Sequence, residues 1–301
     1  MKKISLLILI MCLSIISEIN AQQLSSYKMY HLNPYLRNPA AAGTTPYIFV
    51  STASSQNWSG IEGAPSLKSV SAHSLIAERA AFGGKVFYDN SGLSAQFGAE
   101  ASYAYHLPIN ASGTKLSMGV SAILSQYSLH KDKFVLADPD DEVVVNAAAS
   151  IIVPDAAFGI SLYHPNKFYV NIASYQLLDR QVNYLNGDYL ENKQVRHYFV
   201  GGAYRFTINE NLKIEPSALV KFNESMFYQA DVGIKVELQE LISVGCYYST
   251  NDAIIPYVGI DTKYLIIGYT YGYLLGDIGN YSVGSHEIML ILKLNNAKTS
   301  L

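Results

Sequence analysis

The side chains with the most evident capacity for chemistry are four carboxylates between residues 138 and 142: Asp138, Asp140, Asp141 and Glu142. Carboxylate oxygens are the ligands that hard cations such as Ca²⁺ prefer, so a cation site is one interpretation. Their spacing is not that of a calcium-binding loop, and charge runs on loops are usually solvated. A solvated acidic loop is therefore the preferred interpretation, with a cation site as the alternative.

Sequence motifs that are typical of catalytic sites are missing. The sequence contains no Gly-x-Ser-x-Gly elbow, no glycine-rich phosphate loop and no His-Glu-x-x-His motif, and its seven histidines are scattered singly. If residues 1–21 are removed, Cys246 is alone, so neither an internal disulfide nor a cysteine zinc site is expected. We predict no catalytic, cofactor-binding or metal-ligating residue and no enzyme activity. A Ser and a His brought together across strands would be the exception.

Composition narrows the class of protein. Charged residues make up 15% of the chain, below the quarter that is usual in soluble domains, and 24 residues are tyrosine. The formal net charge is −3 and no block of Lys and Arg occurs, which argues against nucleic acid as a partner. Tyrosine is typical of membrane interfaces and of strands.

The N-terminus has the pattern of a secretory signal peptide. Lys2 and Lys3 precede an apolar run over 4–16, and the small residue Ala21 precedes Gln22. We predict a signal peptide over 1–21. Beyond Gln22 no apolar run approaches the roughly 18 residues of a transmembrane helix, so the exported chain is soluble, surface-bound or a β-barrel.

A two-residue period is strongest over 229–238. Val232, Ile234 and Val236 share one phase, and Asp231 and Lys235 the other, so a strand here has one apolar and one charged face. This pattern suits either a soluble sandwich or an outer-membrane barrel, whose apolar face meets lipid and whose polar face lines the lumen. Similar segments number fourteen: 47–57, 66–76, 80–89, 93–107, 114–129, 156–164, 167–175, 195–207, 211–222, 227–238, 241–249, 254–261, 263–273 and 285–294.

Connection lengths favour the barrel. Turns such as 209–210 and 239–240 are short, whereas the segments 130–155, 176–194 and 274–284 are long and all fall on one side of the predicted sheet. We predict an all-β fold, a transmembrane antiparallel β-barrel of about 14 strands over 47–294 in the lipid bilayer. Residues 22–46 form a segment that faces the periplasm or folds into the lumen, and 295–301 are a C-terminal tail.

Two motifs flank the first predicted strand. The first reads Asn-Pro-x-x-x-Asn-Pro-Ala-x-Ala-Gly and includes Asn33, Pro34, Asn38, Pro39 and Gly43. Its Asn-Pro steps favour extended or turn conformations over a helix. The second reads Trp-x-Gly-x-x-Gly-Ala-Pro, with His73 following, and includes Trp58, Gly60, Gly63 and Pro65. Trp58 is either an anchor at the membrane interface or part of a docking loop.

These motifs resemble those of the PorP/SprF family of type IX secretion system membrane proteins of Gram-negative bacteria. The resemblance extends over most of the chain after residue 21. It includes an Asn-Asp-Ala loop at Asn251 and Asp252, and a sequence near the end that is similar to the family's Gly-Thr-His-Glu signature, with His286 and Glu287.

The resemblance implies an outer-membrane component of the secretion or gliding machinery. It would bind, help to export or anchor a secreted cargo protein, through the cargo's C-terminal sorting domain, at the cell surface. Periplasmic ring components of the machine are the other implied partners. We expect the long loops to hold the cargo, without cofactor or catalysis. The alternative is a passive outer-membrane transport barrel.

Overall fold

The structure is a computed structural model that describes residues 27–131, 150–182, 194–225, 227–250 and 253–294. In these ranges, fifteen antiparallel strand segments form one closed sheet, because β15 pairs with β1 and β10 pairs with β11. The segments are β1 (Ile48–Gln56), β2 (Ser66–Leu75), β3 (Ala80–Ser91), β4 (Ser94–Pro108), β5 (Lys115–Leu129), β6 (Ser150–His164), β7 (Phe168–Tyr175), β8 (His197–Tyr204), β9 (Phe206–Asn209), β10 (Leu212–Asn223), β11 (Tyr228–Leu238), β12 (Ile242–Ser249), β13 (Ala253–Asp261), β14 (Leu265–Leu274) and β15 (Ser285–Leu294).

The segments β8 and β9 form one interrupted strand of the wall, so the barrel has 14 strands. Both pair with β10, and the pairing is interrupted opposite Pro216. Proline has no N–H to donate to a neighbouring strand, which explains a break at this position. On its other side Pro216 pairs in regular register with Ile234 of β11. The predicted 14-strand antiparallel barrel is confirmed.

Side chains alternate between the lumen and the outer surface of the barrel. On β11, Asp231 and Lys235 face the lumen and are 5% and 6% exposed, whereas Val232 and Ile234 face outward and are 49% and 44% exposed. This arrangement of apolar residues outside and charges inside is the reverse of a soluble core, and it is the one that a bilayer requires. Cys246 also lies on the outward face.

One predicted boundary is wrong. The segment 130–155 is expected to be a loop, yet β6 begins at Ser150 and pairs with β5 in unbroken register from Ser128 and Ser150 to Lys115 and Tyr163. Pro154 falls within the segment that is expected to be a loop. It lies within the strand instead, opposite Leu124, because β5 is long enough to supply partners for the additional residues.

The two ends of the barrel differ in their connections. One end, here the turn end, carries the start of β1, the end of β15 and six connections, the longest of which is 109–114. The opposite end, here the loop end, carries the long connections after β5, β7 and β14. The grouping of long connections at one end matches the pattern of bacterial barrels. Residues 1–26, 132–149, 183–193, 226, 251–252 and 295–301, which include the predicted signal peptide and C-terminal tail, lie outside the described residues.

Residues 27–46, here the lumen segment, lie inside the barrel. Two short 3₁₀ turns, Pro34–Leu36 and Pro39–Ala41, shape this segment, and Tyr35 and Met29 are fully buried in it. An apolar cluster joins Met29 and Leu36 to wall residues such as Phe49 and Ile291. Within the described part of the chain, no helix has the length and apolar character to cross a membrane.

Candidate functional site: the lumen segment and the loop-end rim

The start of the lumen segment is bound by a carboxylate of the last strand. Glu287 on β15 is 1% exposed, and its two oxygens accept hydrogen bonds from the backbone N–H groups of Lys28 and Met29, both at 2.8 Å. Bonds from N–H groups to an ionised carboxylate are stronger than bonds between neutral groups. Glu287 therefore connects the first described residues of the chain to the strand that closes the barrel.

The two Asn-Pro steps form the central part of the lumen segment. Each proline occupies the first position of a 3₁₀ turn, where its missing N–H costs nothing. The Asn33 side chain donates to Ser51 at 2.8 Å and to Ser71 at 3.3 Å. The Asn38 side chain caps the second turn by accepting from the Ala40 N–H at 2.9 Å, and it donates to the Ile160 carbonyl at 3.0 Å.

Gly43 and His73 meet where the lumen segment approaches the turn end. The Gly43 N–H donates to His73 Nδ1 at 3.1 Å, and the histidine ring stacks on Phe49 with 4.6 Å between the ring centroids. Gly43 has a φ of +72°, and a Cβ there would lie 2.4 Å from Ala81 Cβ. Both the backbone conformation and the space require glycine.

The barrel wall has glycines that make room for the lumen segment, and they lie outside the two motifs that flank β1. Gly119 and Gly159 are paired across β5 and β6. A Cβ at position 119 would lie 2.4 Å from Ala40 N, and one at 159 would lie 1.9 Å from Asn38 Oδ1. A Cβ at position 83 would likewise lie 2.6 Å from the ring of Tyr35. Small residues in the lumen-facing phase of a strand are the sequence signal that could have identified this surface.

The second motif forms the loop-end rim, defined as residues 57–65 together with 281–285. Ser59 exchanges backbone hydrogen bonds with this second segment, donating to the Gly284 carbonyl at 2.7 Å and accepting from the Val283 N–H at 2.9 Å. Gly63 is connected to the neighbouring turn, since its carbonyl accepts from the Gly92 N–H at 2.8 Å. The loop is thus held on both sides rather than free.

Exposed side chains occupy this rim. Trp58 has a φ of 49° and is 37% exposed, and Tyr281 and Val283 of the second segment are 80% and 67% exposed. Gly60 and Gly63 have φ values of 93° and 72°, which suit the tight path of the loop, and the Pro65 carbonyl accepts from the Asn57 N–H. The structure thus places the first motif and His73 in the lumen and the second motif on the rim.

The remaining motif residues are divided between the outer surface and regions outside the described chain. His286 lies beside Glu287 but on the outward face, where its Nδ1 is 2.8 Å from the Tyr269 hydroxyl. Asn251 and Asp252 lie outside the described residues, as does the acidic stretch 138–142. Among the residues that are described, no group of three His, Cys, Asp or Glu side chains could hold a metal ion.

Ion pairs in the lumen join neighbouring wall strands. Glu215 on β10 lies between Arg205, at 2.8 Å, and Lys235 of β11, at 3.0 Å. On the opposite wall Lys85 pairs with Glu100 at 2.7 Å and donates to the Leu36 carbonyl of the lumen segment at 3.2 Å. The charged residues that the sequence predicts on the lumen face therefore serve mainly to hold the wall strands and the lumen segment together.

The turn end has an exposed ion pair of its own. In the connection between β11 and β12, Glu240 accepts from Lys213 Nζ at 2.5 Å. This hydrogen bond and the positive charge of Lys213 lower the pKa of the Glu240 carboxyl. The pair is solvated and carries no sign of a reactive group.

A cavity of about 80 Å³ lies on the loop-end side of the lumen segment. Its lining combines aromatic and aliphatic side chains with a few charges: Tyr27, Leu36, Arg37, Leu67, Ser69, Lys85, Phe87, Asp89, Gln96, Glu100, Ile123, Ser125, Tyr127, Asp155, Tyr175, Gln176 and Phe199. Apolar walls with a few placed polar groups are typical of ligand sites.

Comparison with known proteins agrees with this architecture. The family model described as "Type IX secretion system membrane protein PorP/SprF" matches residues 19–292. Among solved structures, the Ralstonia pickettii toluene transporter TbuX is similar in fold, with a TM-score of 0.52, 10% identity, and coverage of 87% of this chain and 93% of the transporter. The Acinetobacter baumannii outer membrane protein Omp33 gives a TM-score of 0.45 at 11% identity, with coverage of 82% and 98%. Among curated protein sequences none matches significantly.

Proposed function

Because the chain belongs to the PorP/SprF family of type IX secretion system membrane proteins, we propose that this outer-membrane barrel binds a secreted cargo protein. The cargo would be held at the cell surface through its C-terminal sorting domain, with the loop end facing outward. Periplasmic ring components of the machine would bind at the turn end. The family and fold point to a secretion-system membrane barrel rather than to an enzyme.

The lumen segment is the observation that carries this proposal. It contacts wall strands around the barrel, from Ser51 on β1 through Ser102 on β4 and Ser217 on β10 to Glu287 on β15. A barrel of this size could enclose a channel, as larger porins do. Filling of the lumen by the chain's own residues supports a scaffold with its binding surfaces at the two ends.

The loop-end rim supports an external partner. Its backbone is fixed by hydrogen bonds on both sides, whereas Tyr281 and Val283 expose most of their apolar surface. Rigid, exposed aromatic residues are enriched at protein interfaces because they bury a large area at little entropic cost. Trp58 adds a further aromatic side chain beside them.

Purification from detergent-solubilised outer membrane tests the proposal. We expect a secreted protein to copurify with the native barrel, and the Trp58→Ala and Tyr281→Ala variants to retain less of it at equal abundance. Tyr228→Ala, an exposed tyrosine at the loop end of β11 and outside the rim, is the matched control. Two results together would falsify cargo binding: deletion of the gene leaves all surface cargo in place, and no cargo copurifies with the native barrel.

Conductance in planar bilayers distinguishes a cargo-binding scaffold from a passive transport barrel. The proposal predicts a silent native barrel, because the lumen segment occupies the path. Steady conductance of the native protein, comparable to that of an open porin, would support transport instead.

A further inference from the structure

At the loop end of the barrel, β6 extends beyond the strand on one of its sides. It pairs with β5 from Ser150 onward, whereas its pairing with β7 begins only at Phe158. In the part of the chain that the structure describes, no strand lies against the β7 side of 150–154. Over these residues β6 therefore has an open edge.

The direction of the backbone groups along β6 can be read from one hydrogen bond. The Ala156 carbonyl accepts from the Leu177 N–H at 3.2 Å, on the β7 side of the strand. In a strand, the N–H and C=O of one residue point to the same edge, and those of the next residue point to the opposite edge. Every second residue before Ala156 therefore directs its backbone groups to the open edge: Pro154, Ile152 and Ser150.

The position of Pro154 agrees with this direction. Its missing N–H falls on the open edge, where no neighbouring strand needs a donor, and prolines within sheets are found at such edges. Ile152 does have an N–H, and among the described residues no backbone carbonyl accepts from it. Ile152 thus offers both a donor and an acceptor for a further strand.

The chain that follows β7 turns away from this edge. Gln176 and Asp179 have φ values of 61° and 52°, which bend the backbone. The Leu178 N–H donates at 3.2 Å to the carboxylate of Asp155, which faces the lumen and is 8% exposed. The residues after β7 therefore pass to the lumen side of β6 and leave its edge open.

An open edge of this kind is a template for another strand. Lipid cannot satisfy backbone N–H and C=O groups, so open edges do not occur within the hydrocarbon region of a bilayer, and 150–154 must lie outside it. The Ile152 side chain is 65% exposed and points away from the lumen. An extended segment that pairs with Ile152 would satisfy its backbone groups and cover its side chain.

A second copy of the chain does not fit this edge. Two barrels inserted in the same direction are related by an axis along the membrane normal, which brings equivalent residues of their edges to the same height. The Ile152 N–H of one copy would then meet the Ile152 N–H of the other, and no ladder forms. An extended segment of a different protein can adopt the register that pairs donors with acceptors.

We propose that β6 accepts an extended strand of the secreted cargo protein along 150–154, with Ile152 as the central pairing residue. The inference rests on the proposed cargo-binding function and specifies how the cargo backbone is held. Because main-chain groups make the bonds, the site accepts different cargo sequences, provided that the segment is extended and presents a β-branched or aromatic side chain beside Ile152.

Hydrogen exchange resolved to single residues tests the inference on the intact protein in lipid nanodiscs. One preparation carries the cargo that copurifies from the native outer membrane, and the other comes from a host that makes no cargo. We expect the Ile152 N–H to exchange at least about tenfold more slowly in the cargo complex, because it becomes hydrogen-bonded. The N–H groups of Ile151 and Val153 point to β5 and should be protected in both preparations. Equal exchange of the Ile152 N–H in the two preparations overturns the inference.

A pair of variants at one position separates the backbone from the side chain. Ile152→Pro removes the N–H on the open edge and leaves the pairing with β5 intact, as Pro154 does naturally. Ile152→Ala is the matched control, because it shortens the side chain but keeps the N–H. At equal abundance and with heat-modifiable migration on gels retained, Ile152→Pro should copurify at least about tenfold less cargo than Ile152→Ala. Equal amounts of cargo on the two folded variants contradict strand addition, and hydrogen exchange on the native protein decides if Ile152→Pro does not fold.

Failure of this inference can be distinguished from failure of cargo binding. If the native protein and both folded variants retain the same amount of cargo, cargo binding stands and the rim or another surface holds the cargo. If no cargo copurifies with the native barrel, the proposed function fails and strand addition by cargo fails with it. Protection of the Ile152 N–H in a complex of two barrels, without cargo, would also overturn the inference.

Discussion

Gly159 lies directly against the side chain of Asn38, so that a Cβ atom at position 159 would be 1.9 Å from Asn38 Oδ1. We predict that Gly159→Ala displaces the lumen segment, because overpacking of a filled site typically costs about 1–3 kcal/mol. Trypsin cleavage at Lys28 and Arg37 should become faster. Gly84→Ala is the matched control, since its Cβ would meet one atom, at 3.8 Å. Equal cleavage of the two variants would contradict the observed packing.

The hydrogen bonds at Glu287 give a second prediction. Glu287→Ala leaves the N–H groups of Lys28 and Met29 without their acceptor, and each buried unpaired group costs about 1–3 kcal/mol. We expect faster trypsin cleavage at Lys28, with heat-modifiable migration of the barrel on gels retained. Glu287→Gln, which keeps one oxygen acceptor, should lie between the native protein and Glu287→Ala. If Glu287→Ala were as resistant to trypsin as the native protein, the carboxylate would not hold the segment.

The lumen ion pairs give a third prediction. Glu215→Ala should lower the free energy of unfolding by about 3 kcal/mol, because it leaves buried Lys235 without its counterion. Glu240→Ala is the control: it removes one of the two carboxylates that pair with Lys213, at an exposed turn, where solvent screens the charges and Glu237 remains as a partner. Urea titration in lipid vesicles measures both variants. A loss of stability in Glu240→Ala equal to that in Glu215→Ala would show that burial is not the cause.

The outward face of β11 gives a fourth prediction. Val232→Arg should destabilise the folded barrel in lipid by about 2–4 kcal/mol, the cost reported for arginine at the bilayer midplane. Tyr228→Arg lies on the same face of the same strand but at its loop end, where the cost falls to about 0–1 kcal/mol. Comparison of their unfolding in vesicles and in detergent separates the lipid contribution. Equal destabilisation by arginine at positions 232 and 228 would mean that Val232 does not lie deeper in the bilayer than Tyr228.

Strand faces and lumen charges were predictable because each depends on local alternation. Asp231 and Lys235 face the lumen as the two-residue period indicates, and the interruption opposite Pro216 follows from its missing N–H. The start of β6 was not predictable, because Ser150 is a strand residue only when β5 extends to Ser128 beside it.

The packing partners of the two motifs were beyond the reach of sequence reasoning. The Asn-Pro steps correctly indicate turns, but Asn38 bonds to Ile160, 122 positions away. Nothing in the sequence around Asn38 or around Ile160 indicates this contact. Likewise, Gly119 and Gly159 can be recognised as a contact surface for the lumen segment only when β5 and β6 are paired in register.

The attachment of Lys28 and Met29 to Glu287 also constrains how the molecule is assembled. The acceptor of their N–H groups lies on β15, which closes the sheet against β1, so these two hydrogen bonds form only when β15 is in place. Without β15 the two N–H groups would lack these acceptors. Closure of the sheet by β15 and attachment of the lumen segment to Glu287 are therefore thermodynamically coupled, so that each stabilises the other.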